Sequence, residues 1–558
     1  MMTLTSRIAI VCALGTIVVS HGAVTAAPFR TVALSGQRAP GTPDGVVYRY
    51  FNDPPVLNGH GETSFRARLM DASSIDLLSG IWKEESEITT LVVREGMQAP
   101  DAIIGQLFVN VQSPGLTDGG VSAFPAIVRD ELGLSYSGVW TGQSGDAHLV
   151  GVDGTQAPGT PNGVKFHGLI NGLVLLNSTG QLAFSSFVKG DVVYPSNDIG
   201  IWTTSPSGLA LLARTGNQAP GKASGVAFSS FSPPVLNDSG VMAFTATTTE
   251  NAPAVSMGIW SGALGNLQVV VHTGINAPGT AAGVSFEAFN EPTLNSSGES
   301  AFIGFLAGAG VVEANRQGIW SGSSNNLELA ARSGDHAAGT GTGVSFSYFN
   351  NPLLNDIGDI AFRAGVSGTG VTSNNNEGIW IGSGGNLELV ARSEGHAPGT
   401  PSGARFDDFS APTLNAGGQV AFIARLFRPT PNRDGTIPGG LESYGNVDKT
   451  NDMGLWATDP HGILKLIARE GDPLQVGPND VRTISTLQFV THSGNGDGRN
   501  SAFNDKGQIA FSAYFTDGSS GIFVSNLVAV PEPAAILSLT IPVLCNMNAR
   551  RHSRPGMT

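Results

Sequence analysis

The chain has 558 residues and a net charge of −14, and it contains 75 glycines and 32 prolines, while charged residues make up only 13%. This composition excludes a protein of long helices, because Gly and Pro interrupt helices, and it excludes a charge-rich disordered chain. The acidic balance disfavours nucleic acid and anionic membrane surfaces as partners. We therefore predict a turn-rich, all-β globular protein.

Residues 1–26 have the pattern of a secretory signal peptide. Arg7 precedes a short apolar run, and the small residues up to Ala26 provide a cleavage site. The apolar run is too short to span a membrane comfortably. The two cysteines, Cys12 and Cys545, lie in the terminal segments, so the body between them has neither a disulfide nor a thiolate metal site.

Residues 29–525 consist of one unit repeated eight times. One marker is an aromatic residue after a Gly-Ile-like pair, at a spacing of 58 to 76 residues, and it uses all seven tryptophans of the protein. The other marker is the phenylalanine that ends an Asn-x-x-Gly-x-x-Ala-Phe pattern. The markers are Trp82, Trp140, Trp202, Trp260, Trp320, Trp380, Trp456 and Phe523, and Phe65, Phe124, Phe184, Phe244, Phe302, Phe362, Phe422 and Phe511.

This body resembles the bacterial secreted proteins that carry tandem NxxGxxAF repeats. Each unit predicts four short strands, A to D, and four strands in about 60 residues are typical of a propeller blade. The turn between strands A and B is tight, because Asn bonds its own backbone and Gly supplies a positive φ. This turn, followed by the Ile-Ala-Phe strand, is similar to the hairpins of TolB-type propellers.

The ends of the repeat region predict how the ring closes. The segment Phe29–Ser35 matches strand D but has no strands A to C before it, whereas the last unit ends after strand C at Ser525. We therefore predict an all-β, eight-bladed propeller of four-stranded antiparallel blades, closed by the N-terminal strand, which would hide both sheet edges. The alternatives are a seven-bladed ring with a spare unit and an open solenoid.

Most repeated side chains are better explained by structure than by chemistry. We predict that the tryptophans form inter-blade core rather than a ligand-stacking array. The polar residue before Ala-Pro in each linker, such as His336 or His396, is expected to bond its own linker. The basic residues that end strand D are expected to form weak local ion pairs with neighbours such as Glu95 and Glu470. They are Arg94, Arg214, His272, Arg332, Arg392 and Arg469.

No residue is assigned to catalysis, to a cofactor or to a metal. The segment Asn495–Asn500 is the nearest approach to a Ca²⁺ loop, but it lacks a bidentate Glu at the required distance. The strongest departure from the repeat is the B–C loop of unit seven, where 32 residues separate Phe422 from Gly454. Long loops on rigid scaffolds often carry function. The candidate binding residues in it are Arg428, Arg433, Asp434 and Tyr444, and the alternative is drift in an inserted segment.

Residues 530–554 resemble the PEP-CTERM sorting tail of exosortase-processed bacterial proteins. The resemblance rests on Pro531, Glu532 and Pro533, an apolar segment to Cys545, and then Arg550 and Arg551. It implies that the segment holds the tail transiently in the inner membrane, with the arginines inside. It also implies an exosortase-type processing enzyme as a partner, and a product that is secreted or placed at the cell surface.

Two functions are consistent with these features. The first is an exported, non-enzymatic propeller that binds or scaffolds, and the family resemblance links it to extracellular polysaccharide or another surface protein. The alternative is a hydrolase or lyase that acts on polysaccharide, which would need a unique carboxylate or His cluster at the channel mouth.

The sorting interpretation predicts a processed C-terminus. Mass spectrometry of the mature protein should find its end near Pro533 and no peptide that contains Cys545. Replacing Glu532 with Ala, or Arg550 and Arg551 with Asp, should leave uncut precursor in membranes, because recognition or membrane orientation is lost. A freely soluble mature protein that retains Arg554 would show that the tail is not a sorting signal.

Overall fold

The computed structural model describes residues 28–51, 53–71, 76–102, 105–249, 255–430, 432, 436–437, 439–491, 496–529 and 556. In this part of the chain the strands form eight antiparallel sheets, one for each sequence repeat. The predicted eight-bladed propeller is therefore confirmed, and the seven-bladed and solenoid alternatives are wrong. The signal-peptide residues and the tail residues Pro531, Glu532, Pro533, Arg550 and Arg551 lie outside the described residues.

Each blade is built from strands A to D, with A at the propeller axis and D at the outer edge, and these strands are consecutive in the chain in every blade except blade 8. Strand A is divided into two segments in six blades: Val47–Tyr50 and Val56–Leu57, Leu107–Val111 and Gly115–Leu116, Ala227–Phe231 and Val235–Leu236, Val284–Phe289 and Thr293–Leu294, Val344–Phe349 and Leu353–Leu354, and Phe406–Phe409 and Thr413–Leu414. It is one strand in blade 3 (Lys165–Leu176). In blade 8 the first segment is Asp480–Gln488, and the second is reduced to a single bridge between Phe503 and Ile509.

The other strands follow one order in every blade. Strand B is Thr63–Met70, Ser122–Arg129, Leu182–Lys189, Met242–Thr249, Ser300–Gly308, Ile360–Gly368, Val420–Leu426 and Ile509–Phe515. Strand C is Asp76–Glu85, Ser135–Gln143, Ile199–Ser205, Val255–Gly262, Gln317–Ser323, Glu377–Ser383, Met453–Thr458 and Ser520–Ser525. Strand D is Ile88–Arg94, Asp146–Val152, Gly208–Arg214, Gln268–His272, Asn326–Arg332, Asn386–Arg392, Leu464–Arg469 and, for blade 8, Phe29–Leu34.

Two further kinds of element complete the fold. Blade 8 has an additional strand, Pro473–Gly477, which pairs with its strand A. Short 3₁₀ turns occur at Glu313–Asn315 and Leu441–Tyr444. No helix in the described ranges is long and apolar enough to cross a membrane.

The division of strand A has a simple cause in the sequence. In the six divided blades the second segment begins directly after a proline, for example Leu353 after Pro352. Proline has no N–H to donate to the neighbouring strand, so the ladder is interrupted there. Blade 3 has Leu173 and Val174 in this stretch instead of proline. Its strand A is a single strand, although its pairing with strand B also shifts register between Leu169 and Val174.

The ring is closed by the N-terminal strand. Phe29–Leu34 pairs antiparallel with Ser520–Ser525, from Phe29 opposite Ser525 to Leu34 opposite Gly521. The first strand of the body thus completes the last blade, as the sequence predicts. This pairing covers an edge of blade 8 that would otherwise expose unpaired backbone groups.

The predicted tryptophan core is also confirmed. All seven tryptophans are fully buried, and each packs between its own blade and the preceding one; Trp82, for example, shares a cluster with Ala33 and Ile522 of blade 8. Each indole N–H donates to a linker carbonyl at 2.9–3.2 Å, so the buried polar atom is satisfied. The acceptors are the carbonyls of Pro40, Pro100, Pro158, Pro220, Pro278, Ala338 and Pro398.

The asparagine of the A–B turn has a second role that the sequence did not reveal. In blade 6, Asn355 Oδ1 accepts the backbone N–H of Asp359, as expected for the turn. Its Nδ2 also donates to the carbonyl of Asn415 in blade 7. The same inter-blade bond, at 2.8–3.3 Å, joins seven of the eight pairs of neighbouring blades. It starts from Asn58, Asn177, Asn237, Asn295, Asn355, Asn415 and Asn504.

We call these seven residues the asparagine ring. The ring is interrupted only in blade 2, where Thr117 takes the place of Asn. Thr117 Oγ1 accepts the N–H of Val121 and so keeps the turn, but a threonine has no amide to reach blade 3.

The axis of the propeller is occupied by residues 496–501, which we call the central plug. They come from the segment of blade 8 that connects Asp480–Gln488 to the Phe503 bridge, before the A–B turn at Asn504. The carbonyls of Ser501, Gly498 and Asp497 accept the N–H groups of Leu57, Leu176 and Leu236, in blades 1, 3 and 4.

Two further contacts fix the plug in place. The Asn500 amide donates to the carbonyl of Pro114 in blade 2. Gly498 has φ +74°, and a Cβ there would lie 2.7 Å from the carbonyl oxygen of Leu236. Glycine is therefore required where the plug meets blade 4.

The asparagine ring yields a stability prediction. Asn355→Thr should keep the turn, as Thr117 does, but remove the inter-blade donor to the carbonyl of Asn415, which still accepts the N–H of Gly418. It should therefore lower the free energy of unfolding by about 0.5 to 1.5 kcal/mol. Asn355→Ala should lower it further because the turn bond is also lost. Urea unfolding measures both changes.

The matched control is Asn374→Thr, in the exposed B–C loop of the same blade. We expect it to change the unfolding free energy by about 0.5 kcal/mol or less. Equal effects of Asn355→Thr and Asn374→Thr would mean that the inter-blade bond contributes nothing.

Candidate functional site

The long B–C loop of blade 7 places its candidate residues in two different surroundings. Arg428 Nε lies 2.9 Å from Asp452 Oδ2 and is half exposed. Tyr444 ends the 3₁₀ turn Leu441–Tyr444, and its ring lies 6.0 Å from that of Phe427. Arg433 and Asp434 lie outside the described residues. The structure therefore joins Arg428 to a carboxylate and places Tyr444 against an aromatic ring.

Asp452 connects this loop to a buried glutamate. Glu470 follows strand D of blade 7 and is 7% exposed. Burial, and then the nearby charge of Asp452, raise the pKa of Glu470 to about 7, although a hydrogen bond from Thr486 opposes the shift. The carboxyl group of Glu470 thus titrates near neutral pH, unlike an ordinary glutamate.

A second charged group lies in blade 6. The Tyr348 hydroxyl donates to Glu377, and Arg363 Nη2 reaches both Glu377 Oε2 at 2.6 Å and Asp408 of blade 7 at 2.9 Å. Burial and the hydrogen bond to Glu377 raise the pKa of Tyr348 to about 12. The phenol therefore remains protonated at neutral pH.

These groups lie in the neighbouring blades 6 and 7. We call them the charged rim: Tyr348, Arg363, Glu377, Asp408, Arg428, Asp452 and Glu470. Asp407 lies between its two halves. Burial and the neighbouring Asp408 raise the pKa of Asp407, while Arg428 and Arg425 oppose the shift. Blades 3 and 4 have Ser185 and Thr245 where blade 6 has Arg363, whereas blade 1 has Arg66 at this position, paired with Asp53 at 3.3 Å.

A cavity of about 440 Å³ lies between blades 4 and 5. Its wall contains the hydroxyl groups of Ser230, Ser232, Thr245 and Thr247, with apolar surface from Phe231, Phe289 and Met257. Asn290, Glu291 and Asn351 supply the remaining polar groups. The sequence does not point to this site, because no single residue in it is unusual. Superposing the eight units position by position would show its small side chains.

The linker residues behave as predicted. Gln156 and Gln218 each donate to carbonyls of their own linker and accept a glycine N–H from it. His336 Nδ1 and His396 Nδ1 lie 3.0 and 3.1 Å from the carbonyls of Val344 and Ala404, eight residues further along the chain. These side chains therefore hold the linkers.

The predicted ion pairs at the end of strand D are wrong. Four of these arginines instead donate Nε to a backbone carbonyl in the B–C loop of their own blade. The pairs are Arg214 with Asn197, Arg332 with Asn315, Arg392 with Asn375 and Arg469 with Asn451.

Glu95, predicted to be an ionic partner, instead accepts the N–H groups of Ser79 and Val111. The physical reason is that loop backbone at a buried strand end needs partners more than exposed charges do. Burial also lowers the pKa of Arg214 and of Arg469.

Residues 496–500 of the segment that resembled a Ca²⁺ loop belong to the central plug. Asp497 is fully buried, its Oδ1 accepts the N–H of Arg499, and its Oδ2 lies 3.7 Å from Arg499 Nη1. Within the described ranges, no group of three His, Cys, Asp or Glu side chains is arranged to hold a metal ion.

Comparison with known families identifies the chain as a member of one of them. The family of unknown function DUF7453 matches twice, over residues 25–275 and 252–537, and the chain belongs to this family. No curated protein matches the sequence.

Solved structures share the propeller fold at low similarity. The β-propeller domain of the Trilobed protease from Pyrococcus furiosus is 9% identical, with a TM-score of 0.36, over 76% of this chain and 100% of that one. Oligopeptidase B from Leishmania major is 8% identical, with a TM-score of 0.35, and the match covers 84% of this chain and 54% of the peptidase. The polysaccharide lyase Uly1 is 10% identical, with a TM-score of 0.33, over 70% and 91%. These likenesses concern the fold alone.

The raised pKa of Glu470 predicts a pH-dependent stability difference. The folded protein keeps the proton up to about pH 7, whereas the unfolded chain releases it near pH 4.3. The contribution of Glu470 is therefore fully present below pH 4.3 and is lost as the pH rises to 7. Glu470→Gln, which imitates the protonated form, should have a free energy of unfolding about 1 to 3 kcal/mol above wild type at pH 8 and nearly equal to it at pH 4.

Denaturant unfolding at pH 4, 6 and 8 measures this difference. Exposed Glu328→Gln is the control, and its difference from wild type should stay close to zero throughout. A Glu470→Gln difference that does not change with pH would show that the Glu470 carboxyl group is not held protonated by the fold.

Proposed function

We propose that this DUF7453 family member is an exported, non-enzymatic binding propeller of the bacterial cell surface, which holds extracellular polysaccharide or another surface protein. Export is supported by the signal-peptide pattern of residues 1–26. Surface delivery is supported by the sorting pattern around Glu532 and by the basic end at Arg550 and Arg551. In this proposal an exosortase-type enzyme removes a tail that is held only transiently in the inner membrane.

The observation that carries the binding role is the way the charged rim is paired. Arg363 is engaged by two carboxylates, and Arg428 is engaged by Asp452. Charges fixed in this way present a stable pattern to a ligand, since little side-chain freedom is left to lose on binding. They do not supply a free nucleophile or an unoccupied base, and Tyr348 stays protonated at neutral pH.

A polysaccharide hydrolase or lyase is the second candidate. It is favoured by Glu470, whose pKa of about 7 suits a general acid. Against it, Glu470 hydrogen-bonds to the Asp452 side chain. Glycosidase carboxyl groups stand about 5 Å or more apart on either side of the scissile bond, and this pair leaves no room for a sugar between them.

The two candidates are separated by measuring binding and turnover on the same samples. Mature protein is mixed with extracellular polysaccharide from the producing cells and sedimented, and the supernatant is assayed for new reducing ends and unsaturated sugars. We expect the protein to sediment with the polysaccharide without product formation, because the rim binds and does not react.

Variants sharpen this test. Glu328→Gln and Asn374→Thr, which are exposed and lie outside the charged rim, should leave sedimentation within about twofold of wild type. Product formation that is lost in Glu470→Gln would establish the enzymatic candidate. Absence of co-sedimentation from polysaccharide and from surface-protein fractions alike would refute the binding proposal.

A further inference from the structure

The cavity between blades 4 and 5 has the properties of a ligand site and lies outside the charged rim. Its volume of about 440 Å³ is within the range of about 300–1,000 Å³ that is usual for small-molecule sites. The residues that form it come from strands A, B and C of blade 4, from strand A of blade 5 and the residues that follow it, and from Asn351 of blade 6. Three blades therefore contribute to one wall.

The cavity exists because blade 4 has small side chains where blade 6 has large ones. In blade 6 the pair of strands A and B at this level is Tyr348 opposite Gly365, and a Cβ on Gly365 would overlap the Tyr348 ring. In blade 4 the equivalent pair is Ser230 opposite Thr247. The same repeat thus fills this space with an aromatic ring in one blade and leaves it open in another.

Hydrogen bonds between blades fix the polar groups of the cavity. Thr245 Oγ1 donates to the carbonyl of Asn290 at 2.7 Å, and Asn290 Nδ2 donates to Asn351 Oδ1 at 2.9 Å. The second bond uses one donor of Asn290 and one acceptor of Asn351, so the Asn290 acceptor and the Asn351 donors remain for a ligand. A site that is ordered before binding loses less entropy when the ligand arrives.

The ionisable group that lines the cavity indicates which kind of ligand it can bind. Glu291 is the sole ionisable side chain among the described residues that line it, and a carboxylate attracts hydroxyl donors but repels anions. Hydroxyl and amide groups match the hydroxyls of a sugar, while Phe231, Phe289 and Met257 offer apolar surface to its C–H faces. Both features favour an uncharged, hydroxyl-rich ligand over an acidic sugar.

We propose that this cavity, bounded by Ser230, Thr247, Asn290, Glu291 and Asn351, binds a neutral oligosaccharide segment. The proposal rests on the polysaccharide-binding function proposed above and names its sugar class and its subsite. The charged rim, in blades 6 and 7, is a separate surface of the same propeller.

The test uses titration calorimetry and saturation-transfer NMR on the mature protein. The neutral probes are maltose, cellobiose and diacetylchitobiose, and the acidic probe is digalacturonate. At least one neutral disaccharide should bind, and it should bind about tenfold or more tightly than digalacturonate, since Glu291 repels the acid.

The decisive variant introduces the Tyr and Gly pair of blade 6 at the equivalent positions of blade 4. The double substitution Ser230→Tyr with Thr247→Gly should fill the cavity and lower the affinity for the neutral probe by about tenfold or more. Asn351→Ala removes a ligand group without filling the space and should weaken binding as well, whereas exposed Asn374→Ala is the matched control. Thermal melting of each variant verifies folding.

Failure of this inference is distinguishable from failure of the proposed function. If polysaccharide co-sediments with the protein but the folded Ser230→Tyr/Thr247→Gly variant binds the neutral probe as wild type does, only the cavity assignment is overturned. The assignment is also overturned if none of the neutral probes binds or if digalacturonate binds best. If a neutral probe binds in the cavity but no polysaccharide co-sediments, the cavity stands and the polysaccharide function falls.

Discussion

The fold depends on the side-chain amide of the turn asparagine, whose oxygen and nitrogen both form hydrogen bonds. In each blade that has it, the turn asparagine accepts a backbone N–H of its own turn and donates to a carbonyl of the next blade, as Asn355 does toward Asp359 and Asn415. The conformation of the turn and the position of the neighbouring blade are thereby coupled near the axis. Farther from the axis, the tryptophan N–H makes a comparable link to the linker, and the buried ring supplies the apolar contact. The directional hydrogen bonds of the asparagines near the axis and the apolar contacts of the tryptophans around them together set the spacing of the blades.

Much of this architecture could be predicted from the sequence, because it is repeated. Seven tryptophans at one position identify a buried site, and an unmatched strand at the N-terminus identifies the closure. The break in strand A was also open to prediction from Pro352 and its equivalents, since the reason is local. The second bond of the asparagine was not, because the turn alone already accounts for the residue. The prediction for the arginines of strand D, such as Arg469, was wrong for a related reason. A charged side chain suggests an ionic partner, but whether it bonds a backbone carbonyl instead depends on which loop the fold brings near it.

Of the two candidate sites, one was indicated by the sequence and the other was not. The unusual length of the blade 7 loop drew attention to Arg428, and the structure adds its partner Asp452 and the buried Glu470. The cavity beside Ser230 had no such signal. It is defined by what is missing relative to blade 6, and an absence of bulk becomes visible only when the units are compared at equivalent strand positions. In a repeated scaffold, the positions where one unit is smaller than its neighbours are as informative as the positions where it is longer.

The central plug has a consequence for copy number. A chain of eight similar units is open to the loss or duplication of a unit, and each remaining blade would still fold against its neighbours. The plug, however, comes from the last unit and fits the axis of this ring. Its carbonyls accept hydrogen bonds from the N–H groups of Leu57, Leu176 and Leu236, which belong to three different blades. In a ring with one blade fewer or more, the axis would be narrower or wider and these three bonds could not form together. The number of blades is therefore restricted by a loop that belongs to the eighth unit alone.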